Sequence, residues 1–166
     1  MTACDEVVEA LRSEWSGLSV SAFRDQVRIT VPRDALYGVL ARLKHSHGFD
    51  FLTDITCVDY LRYAGASDRF MVVYMLTDTR GNRRITVKVP LNEPDLALPT
   101  VVPLWEAANW LEREVWDMMG IVFRGHPDLR RILLPEAFTA HPQRKDYPLQ
   151  GRGERHHFPV IQRGEA

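Results

Sequence analysis

The chain has 166 residues, 45% of them hydrophobic and 26% charged, which is ordinary for one packed domain with an appendage. A net charge of −1 argues against a dedicated nucleic-acid binder, and no apolar run approaches the ~18 residues of a spanning helix. Two cysteines, Cys4 and Cys57, are too few to ligate an iron–sulfur cluster by themselves and read as reduced, inert thiols.

The acidic start MTACDEVVEA has no signal-peptide pattern, so a cytoplasmic or cytoplasmic-side peripheral location is expected. Residues 5–15 predict a short helix, with Val8, Leu11 and Trp15 at helical spacing and acids in the first turn. Residues 19–31 alternate, placing Val27, Ile29 and Val31 on one face. Asp25-Gln26 reads either as a hairpin turn or as a break in one strand. After Pro32, Leu36, Val39, Leu40 and Leu43 predict a helix over about 34–46, stopped by Gly48. Residues 49–61, 69–77 and 83–91 predict three strands, the last two joined by the turn Asp78-Thr79-Arg80-Gly81-Asn82. In the last strand Ile85, Val87 and Val89 alternate with Arg84, Thr86 and Lys88, so one face is buried and the other wet.

Residues 92–102 read as a proline-bearing link. Residues 103–119 predict a third helix, with Pro103 in its first turn and Gly120 at its end. Leu104, Ala108, Leu111, Val115 and Met118 fall within a stripe of about 80°. Arg113 and Asp117 are four apart on the far face and are expected to pair. Glu112 and Glu114 lie about 200° apart around the axis, so they cannot converge on one substrate atom as an acid/base pair. This order predicts an α+β fold: a mostly antiparallel sheet of about four strands with helices on one face, forming a body over residues 1–119. No glycine-rich phosphate loop appears.

The pattern changes at Gly120. Five of the ten prolines and five of the ten glycines lie in residues 120–166. The body has 13 basic and 17 acidic residues, and the remainder has 8 and 5. Apolar residues such as Ile121, Phe123, Ile132, Leu133, Leu134 and Phe138 still run through this stretch, which a disordered tail would lack. It reads as an extended C-terminal arm, 120–166, that buries its side chains on another chain.

The run EREVWDMMGI at 112–121, Phe123, GHPDLRRILLPE at 125–136 and HPQRKDYPL at 141–149 resembles the thirty-kilodalton subunit family of respiratory complex I, the C subunit of NADH-quinone oxidoreductase. VDY at 58–60 and AANWLEREV at 107–115 extend the likeness. Trp116 and Met118-Met119 depart from the Tyr and Met-Phe common there, keeping large apolar groups. The resemblance implies an accessory, non-catalytic subunit of a proton-translocating NADH:quinone oxidoreductase, in the complex's hydrophilic arm on the cytoplasmic face of the cell membrane. It implies no flavin and no iron–sulfur cluster in this chain; flavin, clusters and quinone belong to other subunits. The implied partners are the forty-nine-kilodalton quinone-site subunit (the D subunit) and neighbours such as the B and I subunits. Membrane contact would come only through the complex. Relatives in membrane-bound hydrogenases and other quinone reductases leave the electron donor open.

Partner contact and assembly are therefore assigned to Glu112, Arg113, Glu114, Asp117, Gly120, His126, Asp128, Arg130, Arg131, Arg144, Lys145, Asp146 and Tyr147; no residue is assigned to catalysis, cofactor or metal. Arg130-Arg131 and Arg144-Lys145 suit carboxylates on a partner, with intrachain pairs to Asp128 or Asp146 as the alternative. They lack the interleaved aromatics of a nucleic-acid surface. His126, His141, His156 and His157 lack a zinc-ligand spacing and a nearby Cys. Trp110 and Trp116 lie off the helix stripe, which favours an interface. The tail 150–166 receives no role.

Overall fold

Alternating side chains set the sheet. Val27 and Ile29, Ile85, Val87 and Val89, Val72, Tyr74 and Leu76, and Ile55 and Cys57 are buried, each pair separated by a residue pointing the other way. In the computed structural model, which describes residues 4–24 and 26–154, these runs form β1 (Ser19–Phe23), β2 (Gln26–Thr30), β3 (Phe51–Asp59), β4 (Phe70–Asp78) and β5 (Arg83–Leu91). They make one sheet in the order β1-β2-β5-β4-β3. All pairings are antiparallel except β2 with β5, where Ile29 lies opposite Val87. The sheet has five strands where about four were expected, because residues 19–31 form two paired strands.

Three helices, α1 (Asp5–Glu14), α2 (Leu36–His47) and α3 (Ala108–Met119), send their apolar residues into one cluster with the buried face of the sheet. Leu36, Val39, Leu40 and Leu43 of α2 are fully buried, each contributing about 1.5–3 kcal/mol. Cys4 and Cys57 are both free and buried, and burial pushes the Cys57 thiol up to about 12. The β4–β5 turn is closed by Asp78, which accepts Gly81 N–H at 2.8 Å and pairs with Arg83 at 2.7 Å. A Cβ on Gly81 would meet Asp78 Oδ2 at 2.3 Å, so a larger residue there would displace the carboxylate that closes the turn.

Two segments depart from the sequence reading. The link 92–102 carries a strand, β6 (Ala97–Pro99), which pairs in parallel with β7 (Val122–Arg124), Leu98 opposite Phe123. Ile121 and Phe123 belong to the body's buried cluster. The arm thus begins inside the body and leaves it after β7. Helix α3 starts at Ala108, not at Pro103: Trp105 N–H turns back to Val101 O at 3.0 Å. This turn drives Leu104 and Trp105 into the core, and Trp105 Nε1 donates to Asp50 O at 3.1 Å.

Candidate functional site: a clasp between body and arm

The last carbonyls of a helix have no partner within the helix and carry its negative dipole end. In α3 these groups are met by the arm. His141 Nδ1 donates to Asp117 O at 3.0 Å, Gln143 N–H to Met118 O at 3.2 Å, and Arg144 Nε to Met119 O at 2.6 Å. Gly120 makes this approach feasible. Its φ is +76°, and a Cβ there would lie 2.7 Å from the His141 ring and 2.9 Å from Arg144 Nη2.

Asp117 is the centre of the clasp. Its carboxylate is fully buried. Oδ2 accepts three consecutive backbone N–H groups, Ile132 at 3.1 Å, Leu133 at 2.9 Å and Leu134 at 3.0 Å, while Arg131 Nη1 pairs with Oδ1 at 2.5 Å. Arg131 also reaches Ala140 O and lies 5.7 Å from the Trp116 ring centroid. Burial alone would raise the Asp117 carboxyl, but these four donors outweigh it and hold it below the usual carboxylate range.

A second carboxylate grips the arm further along. Asp59, buried at the end of β3, accepts Lys145 N–H at 2.9 Å and Leu61 N–H at 2.9 Å, and Arg69 lies beside it. Burial opposes this carboxylate too, and the Lys145 and Leu61 amides with Arg69 more than offset it, keeping it low. Arg69 also pairs with Asp146 of the arm at 2.8 Å and with Glu93 at 2.9 Å; Arg144 reaches the same Glu93 at 3.2 Å.

The third carboxylate, Glu112, ties α3 to the loop after β6. It is fully buried and accepts Thr100 Oγ1 at 2.6 Å and Val101 N–H at 2.7 Å. His126 Nε2 lies 4.0 Å from its Oε2 and donates to Asn109 O at 3.1 Å, while His126 Nδ1 accepts Asp128 N–H. Here burial wins: with only two neutral donors, the Glu112 carboxyl is pushed up to about 7.

The family model for the respiratory-chain NADH dehydrogenase 30 Kd subunit matches residues 29–153, a span that takes in all three carboxylates and the arm segment that Asp117 and Asp59 hold. The chain belongs to that family. The C subunit of the NADH-quinone oxidoreductase of Geobacter metallireducens is 45% identical over 155 residues, covering 92% of this chain and 94% of that protein. Among solved structures, the trypsin-resistant fragment (1-134) of Nqo5 is 40% identical with a TM-score of 0.69, covering 75% of this chain and 98% of that one. A chain of the membrane-bound sulfane sulfur reductase, an archaeal respiratory membrane complex, is 25% identical with a TM-score of 0.73, covering 87% of this chain and 85% of that one.

The residues assigned from the 30 Kd motif do come together, but several face inward. Glu112 and Asp117 are buried and meet this chain's own backbone instead of an outer surface. The expected Arg113–Asp117 pair does not form: Arg113 donates to the carbonyls of Arg130 and Arg131 at 3.1 and 3.0 Å. Asp117 has turned to the arm. Arg130 pairs with Asp128 at 2.9 Å, the intrachain alternative. Tyr147 packs 6.0 Å from the Phe138 ring. The arm's apolar residues also find a surface on their own chain: Phe138 is buried, and Leu129 and Leu134 pack on the core. Glu114 and the Lys145 side chain remain outward. Trp110 is 59% exposed, whereas Trp116 packs against the core.

Asp59, Arg69, Glu93 and Thr100 lie outside the set of site residues that the sequence indicates. Asp59 and Lys145 are 86 positions apart, and nothing in local spacing joins them; the VDY match at 58–60 was the one available sign. Chemically, the three carboxylates are consumed in holding backbone. Among the described residues no group of three or more His, Cys, Asp or Glu side chains is placed to hold a metal ion, and no described helix is long and apolar enough to cross a membrane.

Proposed function

We propose that this chain is an accessory, cofactor-free subunit of the hydrophilic arm of a proton-translocating NADH:quinone oxidoreductase, peripheral on the cytoplasmic face of the membrane. In this reading it seats beside the forty-nine-kilodalton quinone-site subunit and staples neighbours such as the B and I subunits while electrons pass from NADH to quinone. The clasp carries the reading. It spends the buried acids Asp117 and Asp59 on presenting the arm in one conformation, and it leaves Trp110, Glu114, Leu133 and Lys145 outward as contacts. Pre-ordering the arm lowers the entropy lost on docking. A catalytic site would instead leave at least one of these acids open to a substrate.

The sulfane sulfur reductase likeness supports a second reading, the same staple in a membrane-bound reductase or hydrogenase with another electron donor. One purification separates the two. A tag on the N-terminus of the full chain, expressed in its own cells, is expected to bring down flavin-bearing, iron–sulfur and quinone-site subunits with NADH:quinone activity. Recovery of an intact complex that does not oxidise NADH would favour the second reading. Recovery of the chain alone, with turnover of its own, would overturn both.

A further inference from the structure

The helices cover one face of the sheet. Of the strand residues pointing from the opposite face only Val73 is buried, and none of them joins the helix-packed cluster. The strand registers lay that face out as a grid. Across β2, β5, β4 and β3, Arg28 neighbours Thr86, then Met75, then Asp54; one row away Lys88 neighbours Val73; on the other side Arg84 neighbours Thr77 and then Phe51. Cations therefore lie on β2 and β5, and the large apolar groups on β4 and β3. Phe51 is 52% exposed, Met75 39% and Val58 37%. A cavity of about 420 Å³ opens between Phe51, Met75, Arg84 and Thr86.

The charges on this face are unbalanced: among the strand residues Asp54 on β3 is its one acid against Arg28, Arg84 and Lys88. Among the described residues, neither Arg28, Arg84 nor Lys88 forms an ion pair with an acid; Arg28 lies over the Phe23 ring instead. Burial, and then the neighbouring Arg28, hold Lys88 below the ordinary lysine range. Arg28 and Lys88 are diagonal neighbours on adjacent strands, within reach of each other for long side chains, and an anionic occupant would relieve their repulsion. Strands are about 4.8 Å apart and a helix with its side chains is about 10 Å across. One helix lying along β4 and β5 would thus touch the cations with one flank and the apolar groups with the other.

We propose that this open face docks an acidic amphipathic helix of a neighbouring protein subunit, with its apolar stripe on Phe51, Met75 and Val58 and its carboxylates beside Arg28, Arg84 and Lys88. The interface uses residues separate from those of the described part of the arm. It completes the layer that a one-sided sheet lacks, with charge complementarity setting the register of the helix.

The test places a photo-cross-linking residue at Met75 of the full chain in its own cells and maps the adducts in the purified complex by mass spectrometry. The expected adduct is a helix of another polypeptide carrying at least two acids within two turns. Replacing Arg28, Arg84 and Lys88 together by Glu is expected to lower the adduct yield about tenfold, and the milder pair Arg84→Gln and Lys88→Gln to lower it in the same direction. Circular dichroism of each variant checks its fold, and yields are compared between folded proteins. An adduct to lipid, to a second copy of this chain or to a segment without acids would overturn the proposal. So would the absence of any protein adduct, or an unchanged yield in the folded Gln pair.

Discussion

Glu112 and Asp117 stand five positions apart on one helix, both fully buried, yet their carboxyls shift in opposite directions. The difference is the donor set. Asp117 has three amides and a guanidinium; Glu112 has one amide and one hydroxyl, too little to repay the loss of water. The consequence for stability has a definite sign. A folded value of about 7, above the ordinary 4.5, means that the native state holds the Glu112 proton more tightly. Its contribution is full below the ordinary value and is lost as pH rises through about 7, roughly 3 kcal/mol in all. Asp59 and Asp117 act conversely: their contribution is present above the ordinary carboxylate range and is lost as pH falls through their lowered values. His47 and His141, both held low chiefly by burial, also favour the folded chain as pH rises. Subtracting a variant isolates Glu112. Between pH 5 and 8 the melting temperature of the wild type is expected to fall relative to Glu112→Gln by about 5–10 °C; a difference flat in pH would remove the assignment. Helical angle separates Glu112 from Glu114. It does not reveal that one lies in the core, because the donors that receive Glu112 come from the loop after β6.

Among the elements, α3 and the arm define each other. The helix offers open carbonyls and one carboxylate; the arm supplies the donors for both. Removing the carboxylate with Asp117→Ala leaves three amides and the largely covered Arg131 without their shared acceptor, at an expected cost of about 3–5 kcal/mol. Trypsin reads this directly, since Arg130, Arg131, Arg144 and Lys145 all lie in the held segment. Cleavage there is expected to accelerate at least tenfold in Asp117→Ala while the body persists, with Asp117→Asn intermediate because it keeps an acceptor oxygen. Equal cleavage rates in wild type and Asp117→Ala would show that the clasp does not hold the arm. Gly120, the junction legible from composition, has a more specific role in the structure: it admits the His141 ring and Arg144 against the helix end. Nothing in the local sequence announces this, because the neighbours arrive from more than twenty residues away.

Across the whole molecule, the arm is continuous with the body's buried cluster at its root. Two truncations separate the parts. Deleting 126–166 keeps β7, with Ile121 and Phe123 buried, and is expected to leave a cooperatively melting body that loses the subunits the arm staples while the open sheet face keeps its own helix partner. Deleting 121–166 also removes those two fully or nearly fully buried side chains, each worth about 2–5 kcal/mol on truncation. That is comparable with the ~5–15 kcal/mol total stability of a domain, so the shorter body is expected to lose its cooperative melt. If both truncations melt alike, β7 is dispensable to the body.

Periodicity was enough for the α+β class, the three helices, the β4–β5 turn and the buried face of β5, because Ile85, Val87 and Val89 must face one way whatever covers them. The motif run from Glu112 to Leu149 was enough for the family. Tertiary structure alone decided where the charged residues of that run point. The parallel pairing of β2 with β5, the short β6–β7 ladder, and the capture of Asp117 by residues 131–134 all join segments distant in sequence. A buried charge is settled by the donors that reach it in space, and neighbours along the chain do not specify them.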